Sequence, residues 1–175
     1  PVTTCGACTA CRTGRENVCA AQRMLGNNVD GGFAEFVVTS MRDAFLLPPE
    51  LPLLESSVIA DALTTAFHAV VRRALVSPGE SVAVFGCGGL GLNVVQVAAM
   101  VGARVIAVDI DPRKLAVAIE LGASATIDAR EPDAPKRIRR ETGGGADVAI
   151  EAIGRPPTQE AAVASLRTGG RAVFL

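Results

Sequence analysis

From Ser81 onward the chain alternates short apolar runs with longer segments whose apolar residues recur every three or four positions. The runs "VAVF" (Val82–Phe85), "RVIAVD" (ending at Asp109), "ATID" (Ala125–Asp128), "ADVAIEAIG" and "RAVFL" have the length and β-branched content of strands buried on both faces. The intervening segments read as helices: residues 89–101, Pro112 to about Leu121, the charged "APKRIRRETG", and "PTQEAAVASLRTGG" with its closing glycines. Strands that alternate with helices and cross over right-handed give a doubly wound parallel sheet, here of five strands in the order 3-2-1-4-5.

Upstream the pattern is weaker. "NNVDGGFAEFVVTS" (27–40) predicts a turn and then a strand with an apolar body of Phe33, Ala34, Phe36, Val37 and Val38 and with Glu35 as an exposed or paired insertion. "LLPPELPLL" (46–54) is a proline-marked connection. One helix is expected from Leu53 or Glu55 to about Ala60 and a second from Thr64 to Leu75, ended by "SPGE". The change of character near residue 60 sets the expected domains at 1–60 and 61–175. Asp61 lies in the apolar "SVIADALTTAF", where a bare carboxylate is costly; from the residues alone it reads as the cap of the helix that follows.

Composition adds limits. With 18 Gly, six Phe, and neither Trp nor Tyr, the core must be built from Val, Ala, Leu and Ile. Lys and Arg number 17 against 18 Asp and Glu, so no general nucleic-acid-binding surface is expected. The apolar runs fall short of the roughly 20 residues a membrane span needs, and no signal peptide is recognisable, so the expectation is a cytoplasmic protein with no membrane partner. Pro1 is no initiator, and "GGRAVFL" stops inside a strand pattern, so the chain reads as an internal piece of a longer protein.

Four of the five cysteines fall in "CGACTACRTGRENVC": Cys5, Cys8, Cys11 and Cys19, spaced C-x2-C-x2-C-x7-C. Disulfides need separated loops and an oxidising compartment. An iron–sulfur loop would continue as x3-C-P, whereas Ala20 follows Cys19. Zinc takes four thiolates tetrahedrally without constraining how the loop wraps, and such a closed site is structural. It orders a segment with too little apolar material to fold unaided.

The second chemical signal is Gly86, Gly88 and Gly91 in "GCGGLG", between a strand and a helix. The first glycine permits a tight turn, the second lets the backbone approach a pyrophosphate, and the third lets the helix pack on the strand. The anion would rest on the free N–H groups of the helix start. Asp109 ends the next strand about 20 residues on, where a carboxylate accepts both ribose hydroxyls and opposes a 2′-phosphate; NAD is therefore favoured over NADP, although Arg113 and Lys114 lie close by. The expected cofactor contacts are Gly86, Gly88, Gly89, Leu90, Gly91, Asp109 and Lys114, with Ile153 and Gly154 on the nicotinamide–ribose side. Cys87 reads as a passive small residue beside the dinucleotide, His68 as a partly exposed helix residue, and Arg137, Arg139 and Arg140 as a solvated face.

Together the cysteine loop, "DGGFAEFVV", "GCGGLG" and "VDIDPRK" resemble the medium-chain, zinc-dependent alcohol dehydrogenase family over essentially the whole chain. The resemblance implies part of a GroES-like catalytic domain with a structural zinc lobe, followed by a C-terminally incomplete, NAD-binding Rossmann domain. It implies hydride transfer between NAD and a small-molecule alcohol or carbonyl substrate, in a homodimer or homotetramer. By the same likeness Asp61, in Asp61-Ala62-Leu63-Thr64-Thr65, is the third ligand of a catalytic zinc, and Thr65 lies beside the nicotinamide. The family's first two catalytic ligands have no match here, so this piece by itself is expected to be inactive. The rival expectations are a zinc-independent NADPH quinone or enoyl reductase of the same superfamily and a non-catalytic dinucleotide-binding domain.

Overall fold

The computed structural model describes residues 2–131 and 133–175; Pro1 lies outside them. It divides into two compact units, Pro1–Ser57 and Val58–Leu175.

The first unit has little regular structure. Strand β1 (Val2–Thr3) pairs antiparallel with β2 (Arg23–Met24), α1 (Thr9–Arg12) is a single turn, and a 3-10 turn covers Glu16–Val18. Cys19 and Ser56 are its only buried residues among those described, so there is almost no apolar core. The strand expected after Asp30 does not form: residues 33–38 pair with no other segment among the described residues, and Phe33, Phe36 and Val38 are exposed. Its apolar composition is that of a strand, but a strand is stable only with a ladder partner and a packed face.

Along the chain from Glu55, the two helices expected on either side of Asp61 are one helical run. A 3-10 turn at Glu55–Val58 passes into wide i→i+5 turns at Ile59–Leu63, then α2 (Thr64–Phe67), then wide turns again at His68–Arg73. No glycine or proline interrupts residues 55–73, so nothing breaks the run at Asp61. Asp61 is therefore not a cap.

Beyond the "SPGE" turn, strands β3 (Ser81–Phe85), β4 (Arg104–Asp109), β5 (Ala125–Asp128), β6 (Ala146–Glu151) and β7 (Leu166–Phe174) form a parallel sheet. Its order is β5-β4-β3-β6-β7, which is the expected 3-2-1-4-5. The connecting helices are α3 (Gly89–Met100), α4 (Pro112–Glu120), α5 (Ala134–Glu141) and α6 (Pro156–Ala164).

Alternation along β3 sends Val82 and Val84 to one face and Ala83 and Phe85 to the other. The first face packs against Val94, Val95 and Ala98 of α3 and against Ala66 and Val70; the second packs against Ile138 of α5 and Ala162 of α6. Both faces are covered, which is why the strands read as unbroken apolar runs. The connections reverse direction between β3 and β6. That opens a crevice at the carboxyl ends of these strands, where open α/β sheets take their ligands.

The last helix is shorter than expected and the last strand longer. Helix α6 stops at Ala164, and Leu166 already pairs with Ala146. Between there and the pairing of Val148 with Arg171 the strand bulges; Gly169 adopts a left-handed φ of 75°, and the Arg167 Nε donates to Asp147 at 2.6 Å. The glycines that read as a helix end are the bulge.

Candidate functional site

The cysteine cluster is assembled by tight local turns. Gly6 takes a left-handed φ of 67° directly after Cys5, and the Cys8 N–H then donates to the Cys5 sulfur at 3.4 Å. One turn of α1 separates Cys8 from Cys11, and a second left-handed glycine, Gly14, bends the chain back toward Cys19. The sulfur separations are 3.6 Å for Cys5–Cys19, 3.9 Å for Cys8–Cys19 and 4.0 Å for Cys5–Cys11, and all four sulfurs lie within 4.8 Å of one another.

Four sulfurs at roughly 2.3 Å from a tetrahedral zinc stand about 3.8 Å apart, so the cluster fits that ion. None of the four is disulfide-bonded. Backbone N–H groups of Ala7 and Cys8 pull the Cys5 thiol down to about 6, while desolvation and the thiol of Cys8 push Cys11 up to about 12. Four thiols this close cannot all ionise without a cation among them, so metal binding and proton release are coupled here.

In the second unit the glycine turn leaves β3 at Gly86, whose φ of 92° favours glycine. A β-carbon on Gly91 would lie 1.7 Å from the Gly86 carbonyl oxygen, so this helix must start with a bare backbone. A β-carbon on Gly88 or Gly89 would meet nothing within 4 Å. The turn is thus closed on its protein side and open on the other, as a surface for diphosphate requires.

Asp109 is buried, and its carboxylate joins two loops: one oxygen accepts the Cys87 N–H at 2.7 Å and the other the Asp111 N–H at 2.8 Å. A carboxylate has about four acceptor positions, so capacity for ribose hydroxyls remains. Burial, with Asp109 second, pushes the Cys87 thiol up to about 12, which suits a passive residue.

Of the two nearby cations, Arg113 is engaged: its guanidinium grips Asp111 at 3.0 and 3.2 Å and holds that carboxyl at about 2. Lys114 instead lines a cavity of about 240 Å³ together with Asp109, Ile110, Ile153, Arg155 and Thr158. Ile153 therefore stands in the same cavity as Asp109, and Gly154 follows it with a φ of 77°.

A larger hollow of about 510 Å³, between Leu63, Phe67, Val97 and Met100, has no titratable group in its lining and does not touch the glycine turn. The smaller cavity is where recognition chemistry is concentrated.

Asp61 is exposed and accepts a long hydrogen bond, 3.3 Å, from the Thr65 hydroxyl. Among the described residues the four cysteines are the only cluster of three or more potential metal ligands, and Asp61 belongs to no such cluster. No helix among the described residues is long and apolar enough to cross a membrane.

Sequence reasoning passed over Glu151, Arg155 and Thr158. Glu151 is wholly buried at the end of β6 and accepts from the Ile153 and Gly154 N–H groups and from the Thr158 hydroxyl. Its signal was available: a carboxylate between the apolar "VAI" and "AI" of "ADVAIEAIG" is as conspicuous as Asp61 in its own apolar stretch.

Comparison with known proteins matches residues 1–49 to the alcohol dehydrogenase GroES-like domain and residues 89–175 to the zinc-binding dehydrogenase family. An alcohol dehydrogenase of Rhizobium meliloti is 40% identical over 168 residues, covering 96% of this chain and 49% of that protein. A sorbitol dehydrogenase of Bacillus subtilis is 37% identical over 174 residues, covering 98% and 49%. The crystal structure of an NAD-dependent alcohol dehydrogenase superposes with a TM-score of 0.93 at 35% identity, covering 99% of this chain and 51% of the other. The chain spans about half the length of the relatives it matches.

Proposed function

Since the chain belongs to the medium-chain zinc-dependent alcohol dehydrogenase family, we propose that it supplies the NAD site and a structural zinc clamp to an oxidoreductase acting on an alcohol or the corresponding carbonyl. The observation that carries this reading is the open glycine turn, with Asp109 tied to it by the Cys87 N–H and facing the adjoining cavity. The free N–H groups at the start of α3 hold the diphosphate, and Asp109 accepts the adenosine ribose hydroxyls. The same negative charge opposes a 2′-phosphate, and the engagement of Arg113 with Asp111 withholds one cation that would offset it. Both points support NAD over NADP and weigh against the NADPH-dependent reductase reading.

Cys5, Cys8, Cys11 and Cys19 hold the structural zinc. Asp61 contributes one carboxylate to a catalytic zinc, oriented by the Thr65 hydroxyl, and Thr65 stands at the nicotinamide end of the crevice. When bound, such a zinc would supply stabilisation for negative charge on the alcohol oxygen as its proton leaves to solvent, and the nicotinamide would supply the hydride acceptor. The intact enzyme is expected to be a homodimer or homotetramer.

The test is alcohol-dependent NAD reduction by the whole protein beside its Asp61→Ala variant. Turnover should fall by a large factor while NAD affinity stays within about twofold, because the substitution removes a metal ligand and no cofactor contact. Full turnover in the variant defeats the ligand assignment. Absence of any NAD binding by the whole protein defeats the reading altogether.

A further inference from the structure

Glu151 is a buried acid that the proposed chemistry does not use. It ends β6, between Phe85 of β3 and Phe174 of β7, with no exposed surface. Among the described residues no lysine or arginine forms an ion pair with it. Burying a carboxylate without a cation is costly unless donors surround it. Here they do. One oxygen accepts from the Ile153 N–H at 2.9 Å, the Gly154 N–H at 3.1 Å and the Thr158 hydroxyl at 2.8 Å, and the other accepts from the Gly154 N–H at 3.1 Å.

Every donor belongs either to the turn after β6 or to the first turns of α6, and that turn is the wall against which the glycine turn rests. The Ile153 Cγ1 lies 2.5 Å from where a β-carbon of Gly86 would be, so the isoleucine occupies the space that glycine leaves. The Ala152 N–H donates to the Phe85 carbonyl at 2.9 Å, directly before Gly86. Ile153 and Thr158 also line the cavity that holds Asp109 and Lys114. One carboxylate thus joins the end of β6, the wall of the phosphate turn and the start of α6.

We propose that Glu151 is a positioning residue for the dinucleotide, which acts through Ile153 to fix the glycine turn and the adjoining cavity in their binding geometry. This rests on the NAD reading above. The role needs an acceptor-only group. A glutamine of the same shape keeps one oxygen but turns an N–H₂ toward the Gly154 N–H, leaving a donor without a partner and freeing the turn to shift.

The experiment measures ADP-ribose binding by calorimetry on the zinc-loaded chain, well below its melting temperature. Glu151→Gln, Thr158→Val, Ile153→Ala and the double variant Glu151→Gln/Ile153→Ala are compared, with zinc content and melting temperature recorded for each. Glu151→Gln should weaken ADP-ribose roughly tenfold and Thr158→Val roughly threefold, with zinc content unchanged. Because the effect runs through Ile153, the double variant should bind no more weakly than the weaker of its two parents.

A merely structural role predicts a lowered melting temperature with ADP-ribose affinity kept within about twofold, and that result overturns the proposal. Additive losses in the double variant overturn it as well. Should Glu151→Gln fail to fold, Thr158→Val decides, and unchanged affinity there counts against the proposal. Failure of the unaltered chain to bind ADP-ribose overturns both this proposal and the NAD reading. Normal binding by the unaltered chain and by the variants alike overturns this proposal alone.

Discussion

Two glycines three residues apart provide a sharp test of the phosphate turn, because the structure assigns them opposite reasons for being glycine. A β-carbon at Gly91 would stand 1.7 Å from the Gly86 carbonyl oxygen, whereas real contacts of this kind essentially never fall under 3.0 Å. Gly91→Ala must therefore move backbone by about 1.3 Å, and the atom in the way is main chain, which cannot swing aside as a side chain would. Overpacking of this kind costs about 1–3 kcal/mol, which for a chain of this size lowers the melting temperature by roughly 2–12 °C. A shift of that size in the turn should also weaken NAD, because the helix-start N–H groups no longer meet the diphosphate.

Gly88→Ala places its methyl in open space, on a backbone with φ of −77° that any residue adopts. Its effect on stability should stay within about 1 kcal/mol, the loss of chain entropy in the unfolded state offsetting a slightly poorer helix cap. NAD affinity should nevertheless fall about tenfold or more, because the methyl occupies the approach of the diphosphate. Thermal melts and calorimetric titration of both variants are sufficient. If Gly88→Ala binds NAD normally, or if Gly91→Ala is as stable as the parent, the reasoning from closed and open sides of the turn is refuted.

Other outcomes follow from the same geometry. Cys19→Ser should abolish tight zinc binding and the order of the first unit, read as metal content and loss of protease resistance confined to residues 1–57; a chelator should do the same to the parent. Asp109→Gly should weaken NAD and raise the relative acceptance of NADP, and it should also cost about 1–3 kcal/mol in a denaturant melt because the Cys87 and Asp111 N–H groups lose their acceptor. Burial works against the charge on Asp147, but hydrogen bonds from Ser81 and Arg167 prevail and hold its carboxyl at about 2, below the ordinary 3.8. Its folded pKa being depressed, Asp147 contributes about 2 kcal/mol that is fully present above pH 3.8 and is lost as pH falls toward 2. Asp147→Asn should flatten the acid limb of a stability–pH curve across that window, and an unchanged limb would count against the assignment.

The sheet order, the glycine turn and the cysteine cluster could all be read from residues close together in sequence, because each is specified locally: apolar runs with turn signals, three glycines at fixed spacing, four thiols within one loop. What escaped depends on how a segment packs rather than on its own composition. "FAEFVV" has the composition of a strand but no ladder partner among the described residues. Asp61 looked like a cap because the pattern weakens there, yet nothing in residues 55–73 interrupts a helix. The glycines at 169 and 170 looked like a helix end and are a strand bulge, fixed by Arg167 reaching Asp147 twenty positions earlier. Glu151 is a different case: its carboxylate stands out in the string and its donors lie only two to seven positions ahead, but that they converge on one buried carboxylate is visible only in the fold.

The double attachment of Asp109 bears on how such a protein could evolve. A lineage drifting toward a phosphorylated dinucleotide cannot simply discard this acid, because two loops would lose their tether in the same step. Losing the acid alone would shift selectivity at the expense of stability, so a lineage that first gained another acceptor for the Cys87 and Asp111 amides would make the same change more easily.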